Sequence, residues 1–177
     1  MKFLPLLCLF IPVLCYANKA VSELNLENYI GKWYEVYQDN FNKVFQGNGI
    51  CSTADYSLME NGKVSVLNSQ VLNGETDSIA GYAYYKEDDC CGYLTVKLNN
   101  IPEAPYWVLE LGPIVNGLYD YSIVSDDKNL SLFVLTRDVD RFYKLYNDDV
   151  LKSLKTLGFT KAYNKPLTMN QTSCEIY

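Results

Sequence analysis

Glu35 follows Trp33 by two residues in the stretch Gly31-Lys32-Trp33-Tyr34-Glu35-Val36-Tyr37, so a carboxylate and an indole share one face of a strand. A carboxylate drawn inside a fold becomes harder to ionise, which makes Glu35 a candidate general acid or base. Its competing role is that of a hydrogen-bonded structural acid. Other reactive chemistry is thinly supplied. The chain has no histidine, which removes Ser-His-Asp and Cys-His nucleophiles, helix-borne zinc-protease motifs and histidine-ligated haem. It has neither a Walker-type nor a Rossmann-type glycine loop. Its 21 acidic residues still permit a pair of hydrolytic carboxylates. Cys90 and Cys91 are adjacent, and neighbouring Cα atoms lie only about 3.8 Å apart, short for a disulfide. That pair reads as a vicinal disulfide, a bridge to another chain, or two thiols. The balance favours a non-enzymatic protein with no cofactor and no metal.

The elements that position these groups follow from patterning. Met1-Lys2, an apolar run from Phe3 to Val13 and the stop Cys15-Tyr16-Ala17 predict a cleaved signal peptide over 1–17, leaving one secreted domain over 18–177. Cleavage removes Lys2 from the 15 basic residues and none of the 21 acids, so the mature surface is acidic and unsuited to nucleic acid. Four cysteines remain (Cys51, Cys90, Cys91, Cys174), and secretion favours disulfides over a metal cluster.

From Cys51 onward the chain alternates short β-prone runs with turn signals, of which Asn61-Gly62, Asn73-Gly74 and Asn116-Gly117 are the clearest. With the strand at 32–38 they predict eight antiparallel strands, ending on Leu130-Ser131-Leu132-Phe133-Val134-Leu135-Thr136-Arg137. The predicted fold class is all-β, an up-and-down barrel with one C-terminal helix packed outside. That helix is expected over 140–157, with Tyr143, Tyr146, Val150, Leu154 and Leu157 on its apolar face and a candidate break at Asn147-Asp148-Asp149. A short ninth strand is expected over 159–163, and the tail after Pro166 reads as loop. The 38–49 segment is too long for a hairpin. Its Phe41, Val44 and Phe45 fold over a barrel mouth as a lid, pin the loop to the rim, or contact a membrane or lipoprotein surface. Trp33 needs a polar partner for its N–H, and Arg137, at the far end of the chain, is the expected one. A guanidinium over an indole contributes about 0.5–2 kcal/mol.

Gly31-Lys32-Trp33 at the first strand with Arg137 at the end of the last resembles the lipocalin signature. The segment from Cys51 to Asn68, with Pro105-Tyr106-Trp107-Val108-Leu109 and Tyr119-Asp120-Tyr121-Ser122-Ile123-Val124, is similar to apolipoprotein D-like lipocalins and their bacterial outer-membrane relatives. Tyr119 stands where the family's second motif usually carries threonine. The resemblance implies a calyx whose closed end is plugged by Gly31, Trp33 and Arg137. It also implies a small hydrophobic ligand (a fatty acid, sterol, retinoid or pigment) against Tyr56, Asn68 and Phe133, the last in place of the relatives' tryptophan. Strand parity adds Ala54, Leu58, Val66 and Leu135 to the inner face. The resemblance further implies a Cys51–Cys174 disulfide. Sequons at Asn129 and Asn170 are candidate glycan sites.

Overall fold

The computed structural model describes residues 19–86 and 91–174, with the side chains of 44–46 set aside. The expected signal peptide over 1–17 and Cys90 lie outside the described residues. Eight strands close into a barrel: β1 (Gly31–Gln38), β2 (Ile50–Leu58), β3 (Val64–Leu72), β4 (Glu75–Tyr84), β5 (Tyr93–Leu98), β6 (Ala104–Leu111), β9 (Tyr121–Ser125) and β10 (Leu132–Thr136). Each pairs antiparallel with its neighbour, and β10 returns to β1 to complete the ring. Closure leaves no long open edge. Two-residue strands β7 (Ile114–Val115) and β8 (Leu118–Tyr119) form a small hairpin around Asn116-Gly117. At Asn73-Gly74 both residues have positive φ (54° and 83°), the geometry that suits a tight two-residue hairpin and admits asparagine followed by glycine.

Two layers of apolar side chains result from the alternation. The inner one joins Trp33, Ala54, Tyr56, Val66, Val108, Val124 and Leu135 inside the barrel. The outer one packs Val36, Tyr37, Leu109, Ile123, Leu132 and Val134 under a helical segment through Phe142, Val150 and Leu154. That segment, expected over 140–157 with a candidate break, is two helices, α3 (Val139–Leu145) and α4 (Asn147–Thr156), meeting at Tyr146. Asp138 caps α3 by accepting from the Arg141 amide. Asn147, first in α4, accepts a bond from the Tyr37 hydroxyl at 2.7 Å. The break therefore lies one residue before the Asn147-Asp148-Asp149 run that signalled it.

Three further departures have simple causes. The segment after β1 contains a seven-residue helix, α2 (Asn40–Gln46), started by the Asp39 side chain accepting from the Asn42 amide. Residues 159–163 form no strand. Phe159 instead buries its ring in the outer layer, following Gly158 at φ +91°. The tail supplies the extra strand: β11 (Leu167–Thr168) pairs with β1 at Tyr37 and Gln38. No helix among the described residues is long and apolar enough to cross a membrane.

Candidate functional site

The closed end is built first. A short helix, α1 (Leu26–Tyr29), is capped by the Asn25 side chain and turns the chain into β1 at Gly31. Gly31 has φ +94°, and a Cβ there would meet Arg137 Nη1 at 3.3 Å, so glycine is required on two counts. Trp33 is fully buried. Its N–H donates to the Tyr29 carbonyl at 2.9 Å, so Arg137 is not the hydrogen-bond partner. A guanidinium carries only donors, and Arg137 stacks on the ring instead, 3.5 Å from its centroid. Every nitrogen of that guanidinium is committed: Nε to Tyr119 O, Nη1 to Lys32 O, and Nη2 to Tyr29 O and Ile30 O. One cation thereby ties α1, β1 and β8 together beneath the barrel. Burial lowers its pKa to about 10.

Above the indole lies a floor of phenols. Tyr106 OH is 2.9 Å from Tyr29 OH and 3.1 Å from Tyr56 OH, and Tyr29 OH reaches Ser122 Oγ at 3.0 Å. Burial, first among the causes, raises Tyr29 to about 12 and lifts Tyr56 and Tyr106 further, so all three stay neutral donors and acceptors. Over this floor stands a cavity of about 370 Å³. That volume falls within the range of about 300–1,000 Å³ usual for small-molecule sites.

Six of the seven residues expected on the inner wall line this cavity: Tyr56, Asn68, Phe133, Ala54, Val66 and Leu135. Leu58 does not. It is 49% exposed, because β1 begins at Gly31, opposite Tyr56, and Leu58 extends past the floor with no β1 neighbour. The barrel ends before it. Sequence reasoning missed Tyr29 and Tyr106, whose pairing joins distant parts of the chain. It also missed Asn42, which lines the mouth while its amide donates to Leu132 O at 2.9 Å and holds α2 across the opening. The Asp39 cap was the available signal for α2. Phe41 also lines the mouth and is 42% exposed. Phe45 and Val44 have side chains outside the described residues.

The family model for the lipocalin-like domain matches residues 24–164. The chain belongs to the lipocalin family. Among curated relatives, temperature-induced lipocalin-1 of Arabidopsis thaliana is 31% identical over 148 residues, covering 77% of this lipocalin and 75% of that protein. Outer membrane lipoprotein Blc of Vibrio cholerae is 34% identical over 67% of this chain and 68% of its own. Apolipoprotein D of Cavia porcellus is 39% identical, but the match covers 52% of this chain and 49% of that protein. Solved structures of the same fold include the cockroach allergen Per a 4 (TM-score 0.59, 18% identity, 92% and 98% of the two chains). Another is Japanin from Rhipicephalus appendiculatus bound to cholesterol (TM-score 0.56, 14% identity, 85% and 98%).

The lipocalin's tail is held as expected from the resemblance: Cys51 and Cys174 are bonded, with Cα atoms 5.5 Å apart. Gln171 Nε2 bridges the carbonyls of Glu35 and Ser52 at 2.8 and 2.7 Å, directly beside that link. Of the two sequons, Asn170 is exposed, whereas the Asn129 amide donates to Leu157 O at 3.0 Å.

Glu35 lines the cavity and is 3% exposed. Ser52 Oγ donates to its Oε2. Burial raises its pKa to about 7 against the Ser52 bond, with nearby Asp39 pushing upward as well. Burial likewise lifts Asp39 to about 6, opposed by the Asn42 amide. Between about pH 4.5 and 7 the folded protein therefore holds protons the unfolded chain has released, and stability falls as pH rises through that window. Glu35 alone accounts for a loss on the order of 3 kcal/mol. Urea midpoints should thus drop from pH 5.5 to pH 8, and Glu35→Gln should remove most of the drop. A midpoint that rises over the same interval contradicts the assignment.

Proposed function

We propose that this lipocalin is a secreted carrier that binds one small hydrophobic molecule inside the barrel, releases it elsewhere, and catalyses nothing. Residues 1–17 act as its signal peptide, and Tyr56, Asn68, Phe133, Ala54, Val66 and Leu135 touch the ligand. The observation that carries this reading is the closed ring of strands around a cavity of about 370 Å³ with a predominantly aliphatic and aromatic wall. Interiors normally pack without voids of that size, because each lost contact weakens the core. Space retained inside a closed barrel is consistent with a guest whose apolar area contributes about 25 cal/mol per Å² on entering. The curated relatives are lipocalins, and Japanin, of the same fold, is described bound to cholesterol.

Neither tryptophan lines the cavity: Trp33 lies below the floor and Trp107 packs on the outer layer. Direct calorimetry is therefore the better probe of binding. Titration with 1-decanol should give one site per chain. Val66→Trp, which places an indole in the cavity, should weaken it by at least ~10-fold while the thermal midpoint shows the variant still folded. Unchanged affinity in that variant would place the alcohol elsewhere.

α2 supports a second reading, in which the 38–49 segment also touches a membrane or lipoprotein surface. Phe41, 42% exposed, lies at the cavity mouth on a helix tethered by Asn42. Flotation with phosphatidylcholine vesicles that persists in saturating decanol and is lost in Phe41→Ser favours this contact. Flotation absent in the wild type refutes it.

A further inference from the structure

β1 and β2 stop pairing short of the mouth. Their last partners are Tyr34 and Thr53, and the ladder does not continue to Glu35 and Ser52. The tail enters this gap. Gln171 Nε2 donates to Glu35 O at 2.8 Å and to Ser52 O at 2.7 Å, so a side chain stands in for the missing ladder. Beside it, Met169 N donates to Val36 O and Cys51 N to Asn170 O, while β11 pairs with β1 at Tyr37 and Gln38.

The barrel wall is thin along this seam. Glu35, Ser52 and Thr53 line the inner cavity. Cys51, Thr53, Gln171 and Cys174 line an outer cleft of about 980 Å³, so Thr53 faces both spaces. One side-chain bond, Ser52 Oγ to Glu35 Oε2, joins the strands on the inner side, and the Gln171 bridge joins them on the outer. The mouth, by contrast, is spanned by α2, which Asn42 fastens to Leu132 O and Asn40 Nδ2 to Ala162 O at 2.6 Å. The covalent anchor of the tail is at the seam too. Cys174, just beyond Gln171, is bonded to Cys51. Cys51 is buried and has φ +57°, a left-handed conformation that a residue with a Cβ keeps only where its surroundings fix it. Cys174 is half-buried on the cleft, where a thiolate has access to its sulfur.

We propose that the β1–β2 seam is a side opening of the cavity, closed by Gln171 and locked by the Cys51–Cys174 disulfide, and that reduction of this link by a dithiol releases the guest. The proposal rests on the reading of the barrel as a ligand vessel and gives that vessel a release step. One thiolate of the reductant attacks Cys174 Sγ, and Cys51 leaves as a thiolate and takes up a proton. The second thiol of the reductant then displaces Cys174, which leaves the same way. The reductant ends as a disulfide and the chain with two thiols. With the anchor gone, hydrogen bonds alone hold the tail, and a terminal segment held that way opens far more readily than a barrel strand. A guest thus stays enclosed where disulfides persist and leaves where thiols abound.

The probe is N-phenyl-1-naphthylamine, a neutral fluorophore that brightens in apolar surroundings. Its stopped-flow displacement by excess 1-decanol gives a dissociation rate from the oxidised full chain. Reduction with dithiothreitol should raise that rate at least ~10-fold, and oxidised Gln171→Ala, which loses both bridging bonds, should raise it similarly. Cys51→Ala/Cys174→Ala should be fast without reductant and should not respond to it, which separates this link from Cys90 and Cys91. Asn40→Ala, which loosens α2 over the mouth, should stay within about threefold of the wild type. Hydrogen exchange distinguishes opening from general unfolding: on reduction the amides of Cys51 and Met169 should lose protection while those of Val66 and Val134 keep theirs. A reduced chain that releases at the oxidised rate refutes the side opening and leaves the vessel standing. So does an acceleration by Asn40→Ala that exceeds that of Gln171→Ala, or a loss of protection at all four amides. A probe that neither brightens nor is displaced refutes the vessel, and the opening with it. Should Gln171→Ala fail to fold, the reduction and hydrogen-exchange arms still decide.

Discussion

The double substitution Cys51→Ala/Cys174→Ala is expected to cost about 5 kcal/mol of stability, through the unfolded chain more than the folded one. The link joins residues 123 apart in sequence. In the chain-entropy account a closed loop of that length removes about 5 kcal/mol of conformational freedom from the denatured ensemble. The native tail retains other ties: Cys51 N donates to Asn170 O at 2.8 Å, Met169 N to Val36 O at 3.0 Å, and β11 stays paired with β1. The folded barrel should therefore persist, with a thermal midpoint lowered by roughly 10–20 °C. Calorimetric melting of the double variant beside the oxidised wild type checks this. A shift of only a degree or two would contradict this, because it would mean that closing the loop removes little freedom from the denatured ensemble.

Trp33→Ala is the second large effect, with an expected loss of about 3–5 kcal/mol. The side chain is fully buried, stacks under Arg137 and lies 5.1 Å from the Tyr29 ring centroid. Its removal opens a hole beneath the phenol floor and leaves the Tyr29 carbonyl short of one of its donors, since that oxygen serves both Trp33 and Arg137. Trp33→Phe keeps a ring face for the guanidinium and most of the volume, so it should lose roughly half as much. Urea unfolding of the pair tests the plug. Equal losses for alanine and phenylalanine would shift the weight from packing to the indole N–H bond.

Much of this was readable from local chemistry. Alternation through Val64, Val66 and Asn68 fixed the inward face of β3. The Asn-Gly turns fixed the hairpins, and Trp33 with Arg137 marked the plug. What escaped the sequence was contact between distant segments. Tyr29, Tyr56 and Tyr106 are three of 16 tyrosines, and only closure of the ring brings their hydroxyls together. β11 exists because pairing between β1 and β2 ends at Tyr34, which leaves that edge of β1 open to the tail at Tyr37 and Gln38. Leu58 shows the complementary limit: alternation assigns a face, but the end of the barrel is set by where the neighbouring strand begins. α2 spans only two turns, too short for its apolar residues to show a helical period, so the Asp39 cap is its one local signal. Glu35 was placed inward by parity, while its unshared oxygen became visible only with the cavity around it.

The central claim is that a guest occupies the barrel interior. Methyl-resolved NMR during titration with 1-decanol tests it directly. The methyl signals of Val66, Val96, Leu98 and Leu135, which line the cavity, should shift and saturate together at one equivalent. Those of exposed Leu58 and Leu67 should stay in place. Shifts confined to Leu58 and Leu67, with the four interior residues unmoved, would contradict the account.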